Sequence, residues 1–201
     1  MASDVSICNM ALSHIGVGKE IANLETEKSQ EAAACRRFFE EARDLTLRDY
    51  EWPFSTKIAA LGLIEEDPND EWKYSYRYPI DCLLARRVLS GQRNDTEDSS
   101  VKYKISQDAS GLIIYTDKED AQLEYTVKTE NPSYFPPDFV MALSLRLAFY
   151  IAPRLTGGDP FKMGDRAMKL YDASISKARA TSTNEEQSDQ APESEFIRSR
   201  V

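Results

Sequence analysis

The period of the apolar pattern changes twice along this chain, and this change constrains the fold more than any other feature. Near the N-terminus, Val5, Cys8, Leu12 and Ile15 recur every three or four residues, which is the spacing of an amphipathic helix. Between residues 54 and 127, apolar and polar residues alternate, as they do in half-buried strands. The helical spacing then returns. The sequence therefore predicts helices at both ends and an antiparallel sheet inserted between them.

The two N-terminal helices have recognisable ends. The first is predicted to begin at a cap formed by Ser3 or Asp4 and to end at Gly16 and Gly18. The second is predicted to begin near Ser29 and to end before residue 53. Its expected buried face is Cys35, Phe38, Phe39, Ala42 and Leu45, and its expected outer face is Glu40, Glu41, Arg43 and Asp44.

The middle of the chain contains several short alternating segments. Strands are predicted at 54–58, 74–78, 101–106, 112–115 and 123–127, because β-branched and aromatic residues fill the alternate positions. Turn-forming residues at 108–111 and 117–120 predict that residues 101–128 form an antiparallel meander. Residues 65–71 and 91–100 are predicted to be polar loops.

Two further helices are predicted after the sheet. Pro136-Pro137 is expected to open the third, whose apolar residues nearly encircle it, so it belongs in the centre of a core or between subunits. Asp159-Pro160 is expected to open the fourth. The apolar stripe of that helix is Met163, Ala167, Leu170, Tyr171, Ser174, Ile175 and Ala178.

These elements predict an α+β fold with a four-helix core, an inserted antiparallel β-sheet and an extended C-terminal tail. The expected boundaries are an N-terminal helical pair at 1–52, a β insertion at 53–130, a C-terminal helical pair at 131–182 and a tail at 183–201. Most of that tail is too polar to form a core, but its last six residues, 196–201, are again apolar and basic.

Charge and cysteine content exclude several classes of protein. The formal net charge is −9, whereas a free-standing nucleic-acid reader normally carries a basic excess. No apolar run approaches the roughly 20 residues of a membrane span. Cys8, Cys35 and Cys82 are odd in number and widely spaced, which argues against a disulfide framework and for synthesis in a reducing cytosol.

The sequence predicts no cofactor or metal site. Gly16-Val17-Gly18-Lys19 is not a phosphate-binding loop, because Ser13 stands where that loop needs glycine and Glu20 where it needs serine or threonine. His14 is the only histidine, and no further metal ligand is placed at helical spacing from it. A flank position on the first helix is expected for His14.

Two clusters between residues 50 and 78 invite a functional interpretation. The acidic residues of the 65–71 loop are predicted to be a solvated charge run, although a pair of such carboxylates serves glycosidases. The aromatic cluster is predicted to pack at the junction of helices and sheet, since its charged companions are acidic. Its members are Tyr50, Trp52, Phe54, Trp72, Tyr74, Tyr76 and Tyr78.

An ordered series of residues between about 9 and 90 resembles the head-to-tail adaptor family of tailed bacteriophages, the tail tubular protein A-like group. The first part of the series is Asn9, Ala11-Leu12, Ile15-Gly16, Ile21, Leu24-Glu25, Ala34-Cys35, Phe38-Phe39, Arg43, Leu47 and Trp52-Pro53-Phe54. The second part is Trp72, Tyr76, Tyr78-Pro79 and Asp81-Cys82-Leu83.

The resemblance implies a structural virion protein rather than an enzyme. It implies a homo-oligomeric ring, usually of twelve copies, in the neck of the virion between the portal protein and a downstream tail or nozzle protein. Double-stranded genomic DNA would pass through the channel without specific binding, which agrees with an acidic chain that repels phosphates. The protein would be made in the host cytoplasm and would not contact a membrane.

The C-terminal segment is the expected portal-docking site. The resemblance implies that the tail extends along the portal, and Phe196, Ile197, Arg198 and Arg200 are the candidate docking residues. A terminal segment without a role is the alternative. For the whole chain, the alternatives are a cell-wall-degrading glycosidase that uses carboxylates of the 65–71 loop, or a soluble scaffolding domain unrelated to virions.

Overall fold

The computed structural model describes residues 2–92, 101–159 and 161–185. Within these residues the chain is α+β, with four helices and two antiparallel sheets. The predicted α+β class is therefore confirmed, but one inserted sheet was expected and two are found.

The helices begin and end where local capping dictates. The first helix, α1, spans Asp4–His14, and Ser3 and Ser6 form a reciprocal capping box at its start. Gly16 follows it with a φ of +77°, a conformation that glycine adopts without strain. The second helix, α2, spans Gln30–Asp49, and the Ser29 hydroxyl accepts a hydrogen bond from the Ala32 amide.

The C-terminal helices are α3, Pro137–Leu155, and α4, Met163–Glu185. The predicted cap of the fourth helix is present, but the helix begins later than expected. The two carboxylate oxygens of Asp159 accept hydrogen bonds from the amides of Met163 and Gly164, each at 2.7 Å. Asp159 itself has a φ of +58°, so the backbone turns before the helix starts.

Seven strands of the described chain lie between the helical pairs. They are β1 Thr56–Ala60, β2 Leu63–Asn69, β3 Trp72–Arg77, β4 Cys82–Val88, β5 Tyr103–Asp108, β6 Gly111–Thr116 and β7 Gln122–Val127. One sheet has the order β1-β7-β4 and the other has the order β2-β3-β6-β5.

The predicted meander of residues 101–128 is wrong for its last strand. Strands β5 and β6 form the expected hairpin, but β7 pairs with β1 and β4 in the other sheet. Leu123 and Tyr125 on one face of β7 and Glu124 and Thr126 on the other are all buried. β1 and β4 pair with its two edges, so β7 is the central strand of the three-stranded sheet and is covered on both faces.

Residues 65–71 were predicted to be a loop, but most of them belong to a strand. Strand β2 pairs antiparallel to β3 with two register irregularities. It was missed because nearly every residue in it is exposed, so its sequence carries no apolar alternation. Strand β4 was also not predicted; its sequence, CLLARRV, contains an apolar run followed by two arginines.

One hydrophobic cluster contains residues of all four helices. Helix α3 contacts each of the other three, and its buried positions lie all round it, from Phe139 to Ala152. This central position explains why α3 is apolar on nearly every side, without any need for a neighbouring subunit to cover it. Met141 of the same helix is an exception, because it is large, hydrophobic and 43% exposed.

Two side chains of the helices lie on the opposite side from the one predicted. Arg43 was expected on the outer face of α2 but is only 5% exposed, because its guanidinium contacts Asp44 at 3.0 Å and Glu130 at 3.7 Å. Leu170 was expected on the buried stripe of α4 but is 47% exposed. Tyr171 and Ile175 of that stripe are buried as expected.

A second, smaller hydrophobic cluster joins the two sheets. It includes Leu123 and Tyr125 from the three-stranded sheet and Tyr76 and Ile114 from the four-stranded sheet. The Tyr76 hydroxyl donates a 2.9 Å hydrogen bond to the carbonyl of Lys118. The two sheets therefore pack on one another through this cluster.

Candidate interaction surfaces

The described residues contain no cluster of three or more His, Cys, Asp or Glu side chains that could hold a metal ion. His14 lies at the flank of α1, as predicted, and its Nε2 is 3.2 Å from the Ser144 hydroxyl of α3. Burial lowers the pKa of His14 below its usual range. This arrangement suits a neutral imidazole that joins two helices.

Glu65 and Glu66, the adjacent acids of β2, do not form a pair of facing carboxylates. Glu65 lies opposite Ser75 and Glu66 lies opposite Tyr74, so the two side chains project from opposite faces of the sheet. Glu71 lies beyond the end of the strand and contacts Lys104 at 3.3 Å. A glycosidase needs two carboxyl groups held on either side of one bond, and consecutive residues of a strand do not provide that arrangement.

Cys8 and Cys35 are buried side by side between α1 and α2. Their mutual hydrogen bond, together with burial, raises the pKa of the Cys8 thiol. A protonated, inaccessible thiol is a poor nucleophile, so Cys8 serves packing.

Six members of the predicted aromatic cluster divide between the two hydrophobic clusters, and Trp72 belongs to neither. Trp52 lies at the junction of helices and sheet. The centroid of its ring is 5.1 Å from the ring centroids of both Tyr50 and Phe139, and both contacts are edge-to-face. Its indole nitrogen donates a 2.9 Å hydrogen bond to the carbonyl of Thr46. Tyr74 and Tyr76, in contrast, belong to the cluster between the sheets. The prediction of junction packing therefore holds for only part of the set.

An open groove of about 370 Å³ lies beside the junction aromatics. Its lining is mostly aromatic and proline side chains, and Tyr134 on its rim is 65% exposed. Such a surface fits an apolar side chain of a partner better than a polar substrate. The residues that line it include Trp52, Pro53, Phe54, Tyr134, Pro136 and Ala178.

Asp49, the last residue of α2, joins three helices. Its carboxylate forms an ion pair with Arg146 of α3 and accepts a 2.7 Å hydrogen bond from the Tyr171 hydroxyl of α4. The Arg146 guanidinium also lies over the Tyr171 ring, 4.4 Å from its centroid. Burial raises the pKa of Tyr171 above its usual range. This network was not predicted, although an arginine in the midst of an apolar helix was a visible signal.

Arg86 joins the three-stranded sheet to the helices. Its Nε donates to the Thr126 hydroxyl at 2.9 Å, and its Nη2 donates to the carbonyl oxygens of Tyr50 at 2.9 Å and Arg48 at 3.1 Å. These carbonyls belong to the C-terminal end of α2, where a cation is favoured. This role was not predicted either, because β4 was not recognised as a strand.

The four-stranded sheet carries apolar residues at both of its outer strands. Leu63 on β2 is 51% exposed and Ile105 on β5 is 44% exposed. Among the described residues, β2 pairs with β3 alone and β5 with β6 alone. Edge strands with exposed apolar side chains are candidate contacts for other chains.

The predicted portal-docking residues Phe196, Ile197, Arg198 and Arg200 lie outside the described residues. Their role stays a prediction.

In the described part of the chain, no helix combines the length and apolar character that a membrane crossing requires. A scan against protein-family models finds no match to the chain, and a search of curated proteins finds none.

Proposed function

We propose that the chain is a head-to-tail adaptor of a tailed bacteriophage, a structural subunit without a catalytic centre. Copies would form a ring in the neck of the virion, with the portal protein on one side and a tail or nozzle protein on the other. Genomic DNA would pass through the ring without being gripped, because a chain with a net charge of −9 repels phosphates.

The observation that carries this proposal is the ordered series of residues between 9 and 83. Several of its members form hydrogen bonds or packing contacts that connect different segments of the fold. Asn9 accepts a 2.8 Å hydrogen bond from the amide of Ile21 and donates one of 3.0 Å to its carbonyl, so it fixes the linker after α1. Trp52 is 3% exposed and lies where helices meet the sheet. These structural roles support the proposal that the series reflects a common fold.

A residue in the second part of the series, Asp81, also connects different segments of the fold. The Asp81 carboxylate accepts hydrogen bonds from Lys57 at 2.8 Å and from the Tyr125 hydroxyl at 2.9 Å. The Asp81 carbonyl accepts a 2.9 Å hydrogen bond from the Lys128 amide. These bonds join the start of β4 to β1 and to the end of β7. Asp81 therefore links segments that are distant in sequence.

In this proposal the four helices form the core of the subunit body, and the β part meets neighbouring copies or the tail. Most of the large exposed hydrophobic residues of the described chain support this division. They belong to the β part: Ile58, Leu63, Ile64, Ile80, Ile105 and Leu112. The C-terminal tail would extend to the portal, where Phe196 and Ile197 supply apolar contacts and Arg198 and Arg200 supply charge.

The docking role of the tail is tested by substitution in the full-length chain. The double variant Phe196→Ser, Ile197→Ser is expected to lose binding to the portal protein of the same virus in a pull-down or sedimentation assay. Circular dichroism should show an unchanged helical signal, because α4 ends at Glu185, before this segment. Arg198→Glu with Arg200→Glu should weaken binding most at low salt.

The matched control is Arg154→Glu, which reverses an exposed arginine at the end of α3. It should bind the portal as the unmodified chain does. Full portal binding by the Phe196→Ser, Ile197→Ser variant would remove the docking role from the tail.

A further inference from the structure

Paired residues run across the four-stranded sheet in rows that begin on β2 and end on β5. One row is Leu63, Tyr76, Ile114 and Ile105. Directly opposed residues lie on the same face of a sheet, so Leu63 and Ile105 are the two outer ends of one apolar row. Both ends are about half exposed, at 51% and 44%, whereas the two middle residues are buried.

The adjacent row lies on the opposite face and ends in opposite charges. It consists of Glu65, Ser75, Tyr115 and Lys104. Glu65 and Lys104 are both exposed. On one face of the sheet, both edges therefore end in an apolar residue. On the other face, the β2 edge ends in an acid and the β5 edge ends in a base.

Strand direction permits the two edges to meet. Each neighbouring pair in the order β2-β3-β6-β5 is antiparallel, so the outer strands β2 and β5 run in opposite directions. Placing β5 of one copy beside β2 of the next would continue the antiparallel alternation. In that register Ile105 would lie opposite Leu63. Because Ile64 is the extra residue where β2 pairs irregularly with β3, Lys104 would lie opposite Glu65 rather than opposite Ile64.

We infer that copies of this chain contact one another head to tail through these two edges, β5 of one copy against β2 of the next. The inference rests on the proposed ring and names the surface that forms it. A contact between two different surfaces of the same chain generates a ring when the rotation closes. Pairing β2 with another β2 would instead bring Glu65, Glu66 and Asp67 of both copies together.

Features of β2 limit the length of this contact. Its pairing with β3 is irregular between Leu63 and Glu65 and again between Glu66 and Asn69, and Pro68 has no amide hydrogen to donate. Irregular pairing and proline prevent an edge strand from forming a long backbone ladder with another strand. The contact therefore depends on the side chains of the two rows more than on a long backbone ladder.

Mixed cysteine variants test the contact directly. Leu63→Cys and Ile105→Cys are made in separate full-length chains, mixed at a concentration where the unmodified chain is oligomeric, and oxidised with copper phenanthroline. Opposed residues have Cβ atoms about 4.5–5.5 Å apart, close to the separation that a disulfide requires. Because of this proximity, the mixture should give a disulfide-linked dimer about tenfold faster than either variant alone.

The matched control replaces Leu63→Cys by Ile58→Cys, a similarly exposed position on the other sheet. If the Leu63→Cys mixture forms linked dimer no faster than this control, the inferred contact is wrong. Where the unmodified chain oligomerises only on the portal, the same mixtures are oxidised in its presence.

Charge reversal provides an independent readout. Lys104→Glu and Glu65→Lys should each weaken self-association about fivefold, and the double variant should restore it, because exposed ion pairs contribute up to about that factor. Lys104 also contacts Glu71 within its own chain, so Glu71→Lys is the control and should leave association unchanged.

The outcomes separate this inference from the proposed function. A ring that assembles on the portal, but whose edges neither cross-link nor respond to the reversals, would overturn the edge contact and leave the adaptor function standing. A chain that never self-associates, with or without the portal, would overturn both.

Discussion

The carboxylate of Asp49 accepts a 2.7 Å hydrogen bond from the hydroxyl of Tyr171, a residue 122 positions later in the chain. The same carboxylate pairs with Arg146, whose side chain is 9% exposed. The end of α2 is thereby joined to the middle of α3 and α4. The N-terminal and C-terminal helical pairs are held together by this polar junction as well as by apolar packing.

Asp49→Asn should destabilise the fold, because it leaves the nearly buried Arg146 without its counter-charge. Loss of one partner of a fully buried pair costs about 3–5 kcal/mol, and the partial exposure of Asp49 reduces the expected loss to about 2–3 kcal/mol. Urea unfolding followed by circular dichroism measures it. Asp172→Asn, an exposed acid on α4, is the control and should change stability by less than about 0.5 kcal/mol.

Leu147→Ala should cost about 2–5 kcal/mol, since Leu147 is fully buried on α3 at the centre of the helical cluster. Met141→Ala on the same helix removes an exposed side chain and should cost far less. Thermal or urea unfolding of the two variants compares them. Equal losses would contradict the central position of α3.

Stability should fall as the pH is lowered from about 7.5 to about 5.5, and His14 should be the cause. Burial lowers its pKa in the folded chain, so the unfolded chain binds a proton that the folded chain does not. The stabilisation is complete above the usual pKa of histidine, about 6.5, and is lost as the pH falls below it. Unfolding free energies at the two pH values measure the effect.

His14→Gln is the matched variant for this pH dependence, because His14 is the only histidine of the chain. It should lose less stability over the same pH interval than the unmodified chain. Identical losses in both proteins would assign the effect to other groups.

Local chemistry made the helices predictable from the sequence. Ser3, Ser29 and Gly16 act within a few residues of the helix ends that they define, so their effect is visible in a single segment. The α+β class followed from the change of period. The late start of α4 was not visible, because it depends on the backbone turn at Asp159.

Strand pairing was less predictable because it is non-local. β7 follows β6 in sequence, yet it pairs with β1 and β4, which are placed beside it by packing between the sheets. The edge strand β2 is exposed along most of its length and has no alternating pattern to detect.

The buried arginines of the helices were the least predictable of the residues described above. Arg43 and Arg146 are polar on any helical projection, and only their contacts with Asp44 and Asp49 explain their burial. The complementary ends of the sheet rows likewise depend on the register of four strands. The docking role of Phe196 and its neighbours remains a prediction from the resemblance.

The most direct test of the adaptor function is the size of the full-length chain in solution, measured with and without the portal protein of the same virus. Sedimentation velocity or native mass spectrometry provides the measurement. We expect the chain to join the portal as a ring of many copies, whether or not it assembles alone. A chain that remains monomeric and unbound at every concentration, in the presence of excess portal, would contradict the account.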